Sequence, residues 1–295
     1  EIVAIASGKG GVGKSFLSSS LAMSLNAAGH KTLLVDADLG GANLHNFLGY
    51  KIPPMGIYNF LRAKNQLEDI ITHTPVGVDF VAGSGDILGI AHITKVERSR
   101  FIEKLRQTPY SFVIMDLGAG TSFNTVDLFN LAEKKIVAMN SEPTAIENAY
   151  GFIKVALYRY LERFLSADHI FAEVNKKLRN RSASYPDVDL LIEDVAEVDE
   201  EVAGFIRGFV NDYKVGMVLN IVRFKKELNV FYGFETILKK YLSIVVEKLG
   251  FIPYDDRVSE SVRLMQPFYN AYPESGTASC IHEIRDMMLA KLELN

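Results

Sequence analysis

Short apolar runs alternate along the chain with longer stretches in which apolar side chains recur every three to four positions. Continuous apolar runs predict buried strands, and the three-to-four spacing predicts helices with one buried face. The predicted strands are residues 2–7, 32–36, 78–82, 111–116, 134–140, 215–220 and 248–252. The predicted helices are residues 14–28, 96–107, 122–131, 144–164, 225–246 and 277–292.

The alternation of strands and helices predicts the fold class. Continuously apolar strands separated by helices are typical of a parallel sheet covered on both faces. We therefore expect a doubly wound α/β fold with a mostly parallel sheet of about seven to eight strands. A chain of 295 residues could form two domains, but sheets of this size often fold as one. We expect a single domain over residues 1–295.

Residues 166–212 interrupt the alternation, and we interpret them as a helical insertion. The first part is basic and the second part is acidic. The three-to-four spacing of the second part predicts one apolar face docked on the domain. That face would contain Leu191, Val195, Val198, Val202, Phe205 and Phe209. We interpret the basic residues as a solvated helix face. They are Lys176, Lys177, Arg179 and Arg181.

A glycine-rich segment follows the first predicted strand at once and opens a helix. Its sequence, Gly-Lys-Gly-Gly-Val-Gly-Lys-Ser, satisfies the G-x-x-x-x-G-K-S/T pattern of a phosphate-binding loop. Glycines let backbone N–H groups converge on phosphate oxygens, Lys14 can neutralise the terminal phosphates, and Ser15 can offer its hydroxyl to Mg²⁺. The predicted nucleotide contacts here are Gly8, Lys9, Gly10, Gly11, Val12, Gly13, Lys14, Ser15 and Phe16.

Aspartates end two of the predicted strands. Asp36 and Asp38 close the second strand, and Asp116 closes a later one just before Gly118. Because the carboxyl ends of the strands face the phosphate loop, these carboxylates can hold Mg²⁺ or orient an attacking water, and Gly118 can swing towards a γ-phosphate. The alternative is that they only cap helices or turns. The predicted metal ligands are Ser15, Asp38 and Asp116.

Asn220 ends another apolar strand, and its amide can donate to and accept from the edge of a base. A purely structural role at a strand end is the alternative. The Asn/Thr-Lys-x-Asp run that marks guanine sites is absent from the sequence.

The segment from Lys9 to Ser15 resembles the KGGxGK-S/T signature of the MinD/ParA group, P-loop ATPases with a deviant Walker A motif. The resemblance implies ATP and Mg²⁺ as cofactors and a homodimer that sandwiches ATP at its interface. It also implies that Lys9 reaches the partner's phosphates and that Lys14 and Asp38 complete the catalytic set. Adenine would lie between Asn220 and the loop that carries Pro253 and Asp255.

Three segments resemble the FlhG and MinD branch of this group, namely Leu39-Gly40, residues 116–120 and residues 143–154. The resemblance implies a molecular switch that binds ATP, dimerises and hydrolyses ATP slowly under stimulation by a protein partner. Such a switch would control the placement or assembly of a cellular machine, such as a flagellum or the division site.

Members of this branch end in a basic amphipathic helix that binds membrane in the ATP state. Here the closing helix places Ile281, Ile284, Met288 and Leu292 on one face, and its charges are not net basic. We therefore expect a helix docked on the core rather than an interfacial anchor. Cys280 is the only cysteine, which favours a reducing, cytoplasmic location. The family's membrane cycle would add peripheral binding to the inner membrane in the ATP state.

Two other functions fit the same family resemblance. An iron–sulfur carrier or reductase component needs cysteines near the dimer face, and Cys280 alone is a poor candidate. A ParA-like DNA segregation ATPase needs a basic surface, which the net charge of −4 makes unfavourable except at a local cluster such as Lys176 and Lys177. We expect no DNA binding.

Overall fold

The computed structural model describes residues 1–62, 65–83, 93–166, 169–179 and 185–290. The strands are β1 (Ile2–Ala6), β2 (Thr32–Ala37), β3 (Ile71–His73), β4 (Asp79–Val81), β5 (Phe112–Leu117), β6 (Lys134–Met139), β7 (Lys214–Val222) and β8 (Val245–Pro253). The helices are α1 (Lys14–Ala27), α2 (Ile57–Arg62), α3 (Lys95–Arg106), α4 (Phe123–Leu131), α5 (Pro143–Leu165), α6 (Ala172–Arg179), α7 (Val188–Ala196), α8 (Glu200–Asp212), α9 (Val230–Leu242), α10 (Asp256–Arg263), α11 (Phe268–Ala271) and α12 (Gly276–Ala290).

The strands form one eight-stranded sheet in the order β3-β4-β2-β5-β1-β6-β7-β8. Every neighbouring pair is parallel except β3–β4, which is antiparallel. The prediction of a doubly wound, mostly parallel sheet of about seven to eight strands is confirmed. The edge strand β3 was not predicted, because three partly exposed residues leave no apolar run to detect.

Alternate side chains of the central strands feed two separate cores. Ile2, Ala4 and Ala6 of β1 pack on the face covered by α3, α4, α5, α8 and α9, whereas Val3 and Ile5 pack on the face covered by α1 and α12. This explains why β1 is continuously apolar, since both faces of the strand are buried. A sheet covered on both sides leaves the carboxyl ends of its strands as the open edge for ligands.

The predicted helix over residues 225–246 is wrong in its extent. A 3-10 turn (Lys225–Asn229) precedes α9, and α9 ends at Leu242, where the capping residue Ser243 has a φ of 53° in the left-handed region. The apolar residues that follow belong to β8, which starts at Val245 and is longer than the predicted strand over 248–252. The apolar spacing continues across the junction, so periodicity alone could not locate it.

The insertion is helical, as predicted, but the prediction of a single continuous apolar face is wrong. The Asp199 carboxylate accepts the N–H groups of Glu201 and Val202 and so starts a new helix, α8, after α7 has ended. Val198 lies in the intervening turn with 40% of its surface exposed, and Phe205 is 58% exposed. The two helices therefore dock through separate sets of residues rather than one continuous stripe.

The basic end of the insertion pairs within the insertion itself. Lys176 forms an ion pair with Glu173, and Lys177 forms one with Asp194. Arg181 and the side chain of Arg179 lie outside the described residues. The two lysines are therefore partly neutralised by carboxylates of their own segment.

The closing helix α12 is docked on the core. Ile281, Ile284 and Met288 are buried in the cluster that α12 shares with α1. Leu292, the last residue of the predicted face, lies outside the described residues. None of the described helices is both long enough and apolar enough to cross a bilayer.

A buried ion cluster ties together α3, α4 and α5. Asp127 of α4 is fully buried and pairs with Arg98, Arg159 and Arg163 at distances of 2.7, 3.2 and 2.7 Å. Because α4 directly follows the segment containing Gly118, this cluster fixes the helix that carries one side of the nucleotide site.

Candidate functional site

The glycine loop lies at the carboxyl end of β1, and α1 begins at its Lys14. Gly11 and Gly13 both have a φ of 79°, which favours glycine over any residue with a Cβ. A Cβ added at Gly10 or Gly11 would meet no described atom within 4 Å. That side of the loop is therefore open, with room for a phosphate chain above the amino end of α1.

Two other glycines of the loop are closely packed. A Cβ at Gly8 would lie 2.2 Å from the carbonyl carbon of Asn148 on α5, and a Cβ at Gly13 would lie 2.1 Å from Nδ2 of Asn220 on β7. No side chain fits at such distances. The loop is thus held between α5 and β7, and these glycines serve close packing while Gly10 and Gly11 leave the ligand side clear.

Asp116 lies beneath the loop as the acceptor of three donors. Lys14 Nζ donates to Oδ1 at 2.8 Å, Ser15 Oγ donates to Oδ2 at 2.7 Å, and Ser18 Oγ donates to Oδ1 at 2.8 Å. Both charged groups are buried, so each compensates the other where water cannot. Sequence analysis missed Ser18, although its position one helical turn after Lys14 was a usable signal.

Asp36 adds a second buried carboxyl group next to Asp116. The two residues are direct partners in the register of β2 and β5. Burial, reinforced by the charge of Asp116, raises the pKa of the Asp36 carboxyl to about 7. Its two oxygens accept the N–H groups of Asp38 (3.2 Å) and Leu44 (3.0 Å). Asp36 therefore holds the backbone of the segment in which Asp38 lies.

Asp38 and Gly118 approach each other from opposite sides of the site. A Cβ built at Gly118 would lie 3.2 Å from Oδ1 of Asp38 and 3.5 Å from Oγ1 of Thr125. The same Asp38 oxygen accepts the N–H of Gly40 at 3.3 Å. The structure thus brings together the two groups that sequence analysis assigned to the attacking water and to the γ-phosphate.

Lys9 occupies a different environment from Lys14. Its Nζ donates to Oε2 of Glu142 at 2.6 Å and to Oγ1 of Thr144 at 3.1 Å, both at the start of α5. The hydrogen bond from Lys9 lowers the pKa of the Glu142 carboxyl. Both side chains are solvent-accessible, and pairs of this kind are weak and easily exchanged. The amine of Lys9 is therefore available to a stronger anion nearby.

Asn220 braces the phosphate loop. Its Nδ2 donates to the carbonyl oxygens of Val12 (2.9 Å) and Gly13 (3.2 Å), and its Oδ1 accepts the N–H of Ile221. Both amide hydrogens are thus directed at the loop in this structure. Its predicted contact with adenine stays a prediction.

The loop after β8 lies beside the same region. Pro253 ends β8, and the Asp255 carboxylate accepts the N–H of Arg257 at the start of α10 and the hydroxyl of Thr277. A cleft of about 640 Å³ lies next to Gly13 and has room for a base. Its walls include Phe16, Phe47, Tyr254, Val258 and Arg263. Of these residues, sequence analysis had named Phe16 as a nucleotide contact and had placed Tyr254 in the loop beside adenine.

The nucleotide-binding domain shared by CobQ, CobB, MinD and ParA matches residues 3–268. This match spans the sheet, the glycine loop and all the aspartates described above. The chain belongs to the MinD/ParA family of nucleotide-binding domains. Its phosphate loop is therefore the family's deviant Walker A motif, with Lys9 as the additional lysine.

Similar proteins include an antiactivator and a flagellum site-determining protein. The chain is 24% identical to the antiactivator FleN of Pseudomonas aeruginosa over 278 residues, which cover 93% of this chain and 81% of FleN. It is 32% identical to the flagellum site-determining protein YlxH of Helicobacter pylori over 172 residues, which cover 58% of each chain.

The fold is also that of a solved MinD/ParA-family structure. The septum site-determining protein MinD from Pyrococcus horikoshii, complexed with Mg-ADP, superposes with a TM-score of 0.64 at 20% identity, covering 98% of this chain and 95% of that one. The residues of this site fit such a ligand. Lys14 supplies a buried cation for phosphate, and the Ser15 hydroxyl and the Asp116 carboxylate are the hard oxygen ligands that Mg²⁺ prefers.

Proposed function

We propose that this chain is an ATP-dependent dimerising switch of the MinD type. The observation that carries the proposal is the convergence of Lys14, Ser15 and Asp116 beneath an open glycine loop, with Asp38 and Gly118 meeting beside it. This arrangement would supply a phosphate cradle, a magnesium site and a group for the attacking water in one place.

Hydrolysis of ATP would use each group at a stated atom. Lys14 would turn its ammonium from Asp116 to the terminal phosphates, and the backbone N–H groups of residues 10–13 would hold the remaining oxygens. Mg²⁺, when bound, would neutralise the phosphate charge between the Ser15 hydroxyl and the Asp116 carboxylate. The Asp38 carboxylate would orient the attacking water, and Gly118 would donate its N–H to the γ-phosphate.

Dimerisation would complete the site. Lys9 is held at α5 of its own subunit by Glu142 and Thr144, in a pair exposed enough to exchange. In the dimer, the amine of Lys9 would exchange Glu142 for the phosphates bound by the partner subunit. The nucleotide would then lie between two copies of the chain, and hydrolysis, which we expect to be slow and stimulated by a protein partner, would release them.

Two similar proteins support a cellular role. FleN is an antiactivator and YlxH is a flagellum site-determining protein. We propose that the present chain controls the placement or assembly of a cellular machine of this kind, with flagella preferred over the division site. It would act in the cytoplasm, with peripheral membrane contact in its ATP state.

The test uses two variants and a mass measurement in solution. Asp38→Ala is expected to bind Mg-ATP and remain a stable dimer, because the attacking water loses its orienting carboxylate. Lys14→Ala is expected to stay monomeric under the same conditions. Size-exclusion chromatography with light scattering distinguishes the two masses. An Asp38→Ala protein that stays monomeric at saturating Mg-ATP, with nucleotide bound, would contradict the proposal.

A further inference from the structure

A set of partly exposed aromatic rings lies where α8 contacts the second half of α5. Tyr160 stacks on Phe209 with ring centroids 4.1 Å apart, and Phe164 stacks on Phe205 at 4.9 Å. The planes of each pair are nearly parallel, at 3° and 15°. We call these four residues the aromatic face. Large exposed apolar groups that lie together mark interaction surfaces more often than isolated ones do.

The aromatic face exceeds what the docking of α8 requires. The helix is held on the domain by Ala203, Ile206 and Val210, all of which are buried. Phe205 instead keeps 58% of its surface exposed, and Phe164 keeps 39%. Their stacking therefore presents a flat apolar surface to solvent instead of filling the core.

Two glycines on the outer side of α8 adjoin this surface. Gly204 and Gly208 are both exposed, one helical turn apart, and a Cβ at either would meet no described atom within 4 Å. Glycine is the poorest helix former after proline, and nothing described in this chain needs the space that the two residues leave. They would allow the backbone of another helix to approach α8 closely, as small residues do at other helix contacts.

Carboxylates are concentrated in the segment that contains Phe205, Phe209 and the two glycines. Residues 185–212 contain nine carboxylates and one basic residue, Arg207, which pairs with Glu200. The carboxylates are Asp187, Asp189, Glu193, Asp194, Glu197, Asp199, Glu200, Glu201 and Asp212. Within the described part of the chain, Glu197, Glu201 and Asp212 form no ion pair. We call these three the acidic rim.

A cleft adjoins the aromatic face on one side. Tyr160 and Phe209 form part of the wall of a cleft of about 570 Å³, together with Tyr213 and Asp212. The cleft lies where α8 leads into β7, at the amino end of the strands and away from the phosphate loop. The cleft is also lined by Lys134, Lys135 and Lys214, so it suits an apolar side chain of a helix docked on α8 rather than a basic one.

We propose that the aromatic face and acidic rim of α8 bind a basic amphipathic helix of a partner protein. The apolar residues of that helix would cover Phe205 and Phe164, and its backbone would approach Gly204 and Gly208. Its lysine or arginine side chains would lie over Glu197, Glu201 and Asp212. Complementary charge selects this occupant over an anionic membrane or a nucleic acid, both of which the acidic rim repels.

The surface is connected to the nucleotide site through one helix. The amino end of α5 provides Glu142 and Thr144 to Lys9, and its last two turns provide Tyr160 and Phe164 to the aromatic face. The inference does not depend on ATP hydrolysis, because the surface and the site use different residues. A failed ATPase assay would therefore count against the proposed function, and a failed peptide-binding assay would count against the proposed surface on α8.

The test selects ligands without assuming a partner. A display library of helical 20-residue peptides is selected on the full chain, and enriched peptides are measured by fluorescence anisotropy. We expect enriched sequences to be basic and amphipathic and their affinity to fall steeply with salt. Enrichment of acidic or uncharged sequences, or no enrichment above an unrelated acidic protein, would overturn the proposal.

Variants locate the binding on α8. Phe205→Ala and Glu201→Lys are each expected to weaken peptide binding by about tenfold or more. Gly208→Ala is expected to weaken binding similarly while raising the melting temperature by about 2 °C, since alanine favours the helix. Gly233→Ala on α9, where a Cβ also meets nothing within 4 Å, is the matched control. It should raise the melting temperature and leave peptide binding unchanged.

Two further outcomes would assign the surface to a different occupant. If wild-type protein without nucleotide forms dimers that Phe205→Ala abolishes, the surface binds a second copy of the chain and the proposal is wrong. If wild-type protein binds vesicles containing phosphatidylglycerol and Phe205→Ala does not, the occupant is a membrane, which also overturns the proposal. Neither effect is expected.

Discussion

Replacing Asp36 with asparagine is expected to remove a pH-dependent loss of stability in the nucleotide-free protein. The folded chain keeps this carboxyl group protonated up to a pKa of about 7, compared with an ordinary value of 3.8. Between these two values the folded state binds more protons than the unfolded state. Stability contributed by the proton is therefore fully present below about pH 4 and is lost as the pH rises towards 7.

The size of the effect follows from the two pKa values. The difference between about 7 and 3.8 corresponds to on the order of 4 kcal/mol of free energy of unfolding, lost gradually across this pH range. Asparagine keeps only one of the two acceptor oxygens that receive the N–H groups of Asp38 and Leu44. The variant should thus be less stable than wild type by about 1–3 kcal/mol at pH 4. It should become the more stable protein near pH 8.

Urea unfolding at half-unit intervals from pH 4 to pH 8, without nucleotide or Mg²⁺, measures the free energy of unfolding of wild type and of Asp36→Asn as a function of pH. The control is Asp212→Asn, which removes a carboxylate at an exposed position. A constant difference in unfolding free energy between wild type and Asp36→Asn across the whole range would refute the account of the paired carboxyl groups.

Three other substitutions test separate parts of the structure. Gly8→Ala should destabilise the nucleotide-free protein by about 1–3 kcal/mol, because its Cβ would lie 2.2 Å from the backbone of α5. Gly10→Ala is the control and should not destabilise it. Equal urea midpoints for the two variants would contradict the close packing of Gly8. Asp127→Ala should cost about 3–5 kcal/mol by removing the buried carboxylate that three arginines share, and a loss below about 1 kcal/mol would show that the cluster is solvated. Ile284→Ala should cost about 2–5 kcal/mol if α12 belongs to the core, and an unchanged melting temperature would favour a free tail.

Local sequence signals were sufficient where the structure depends on neighbouring residues. The glycine loop, the strand that precedes Asp38 and the strand that contains Asp116 could be located because both faces of those strands are buried and the runs are unbroken. The end of α9 could not, because apolar residues continue past Ser243 from the helix into β8. The start of α8 was present in the sequence as the capping residue Asp199, but the apolar spacing across it obscured the signal.

Contacts between distant segments were beyond sequence analysis. The raised pKa of Asp36 depends on the register that places it opposite Asp116, and no local pattern contains that register. The same holds for the contact of Lys9 with Glu142 and of Asn220 with the phosphate loop. In each case the residue type was informative, but its partner was set by the order of the strands.

The shared nucleotide site is tested most directly by mixing two inactive variants. Lys9→Ala and Asp38→Ala are each expected to lack ATPase activity alone. In a mixed dimer, the Lys9→Ala subunit keeps its own Asp38 and receives Lys9 from its partner, so one of its two sites is intact. With random assortment of equal amounts, the account predicts roughly a quarter of wild-type activity. Activity no greater than that of the separate variants would contradict a lysine that acts across the dimer.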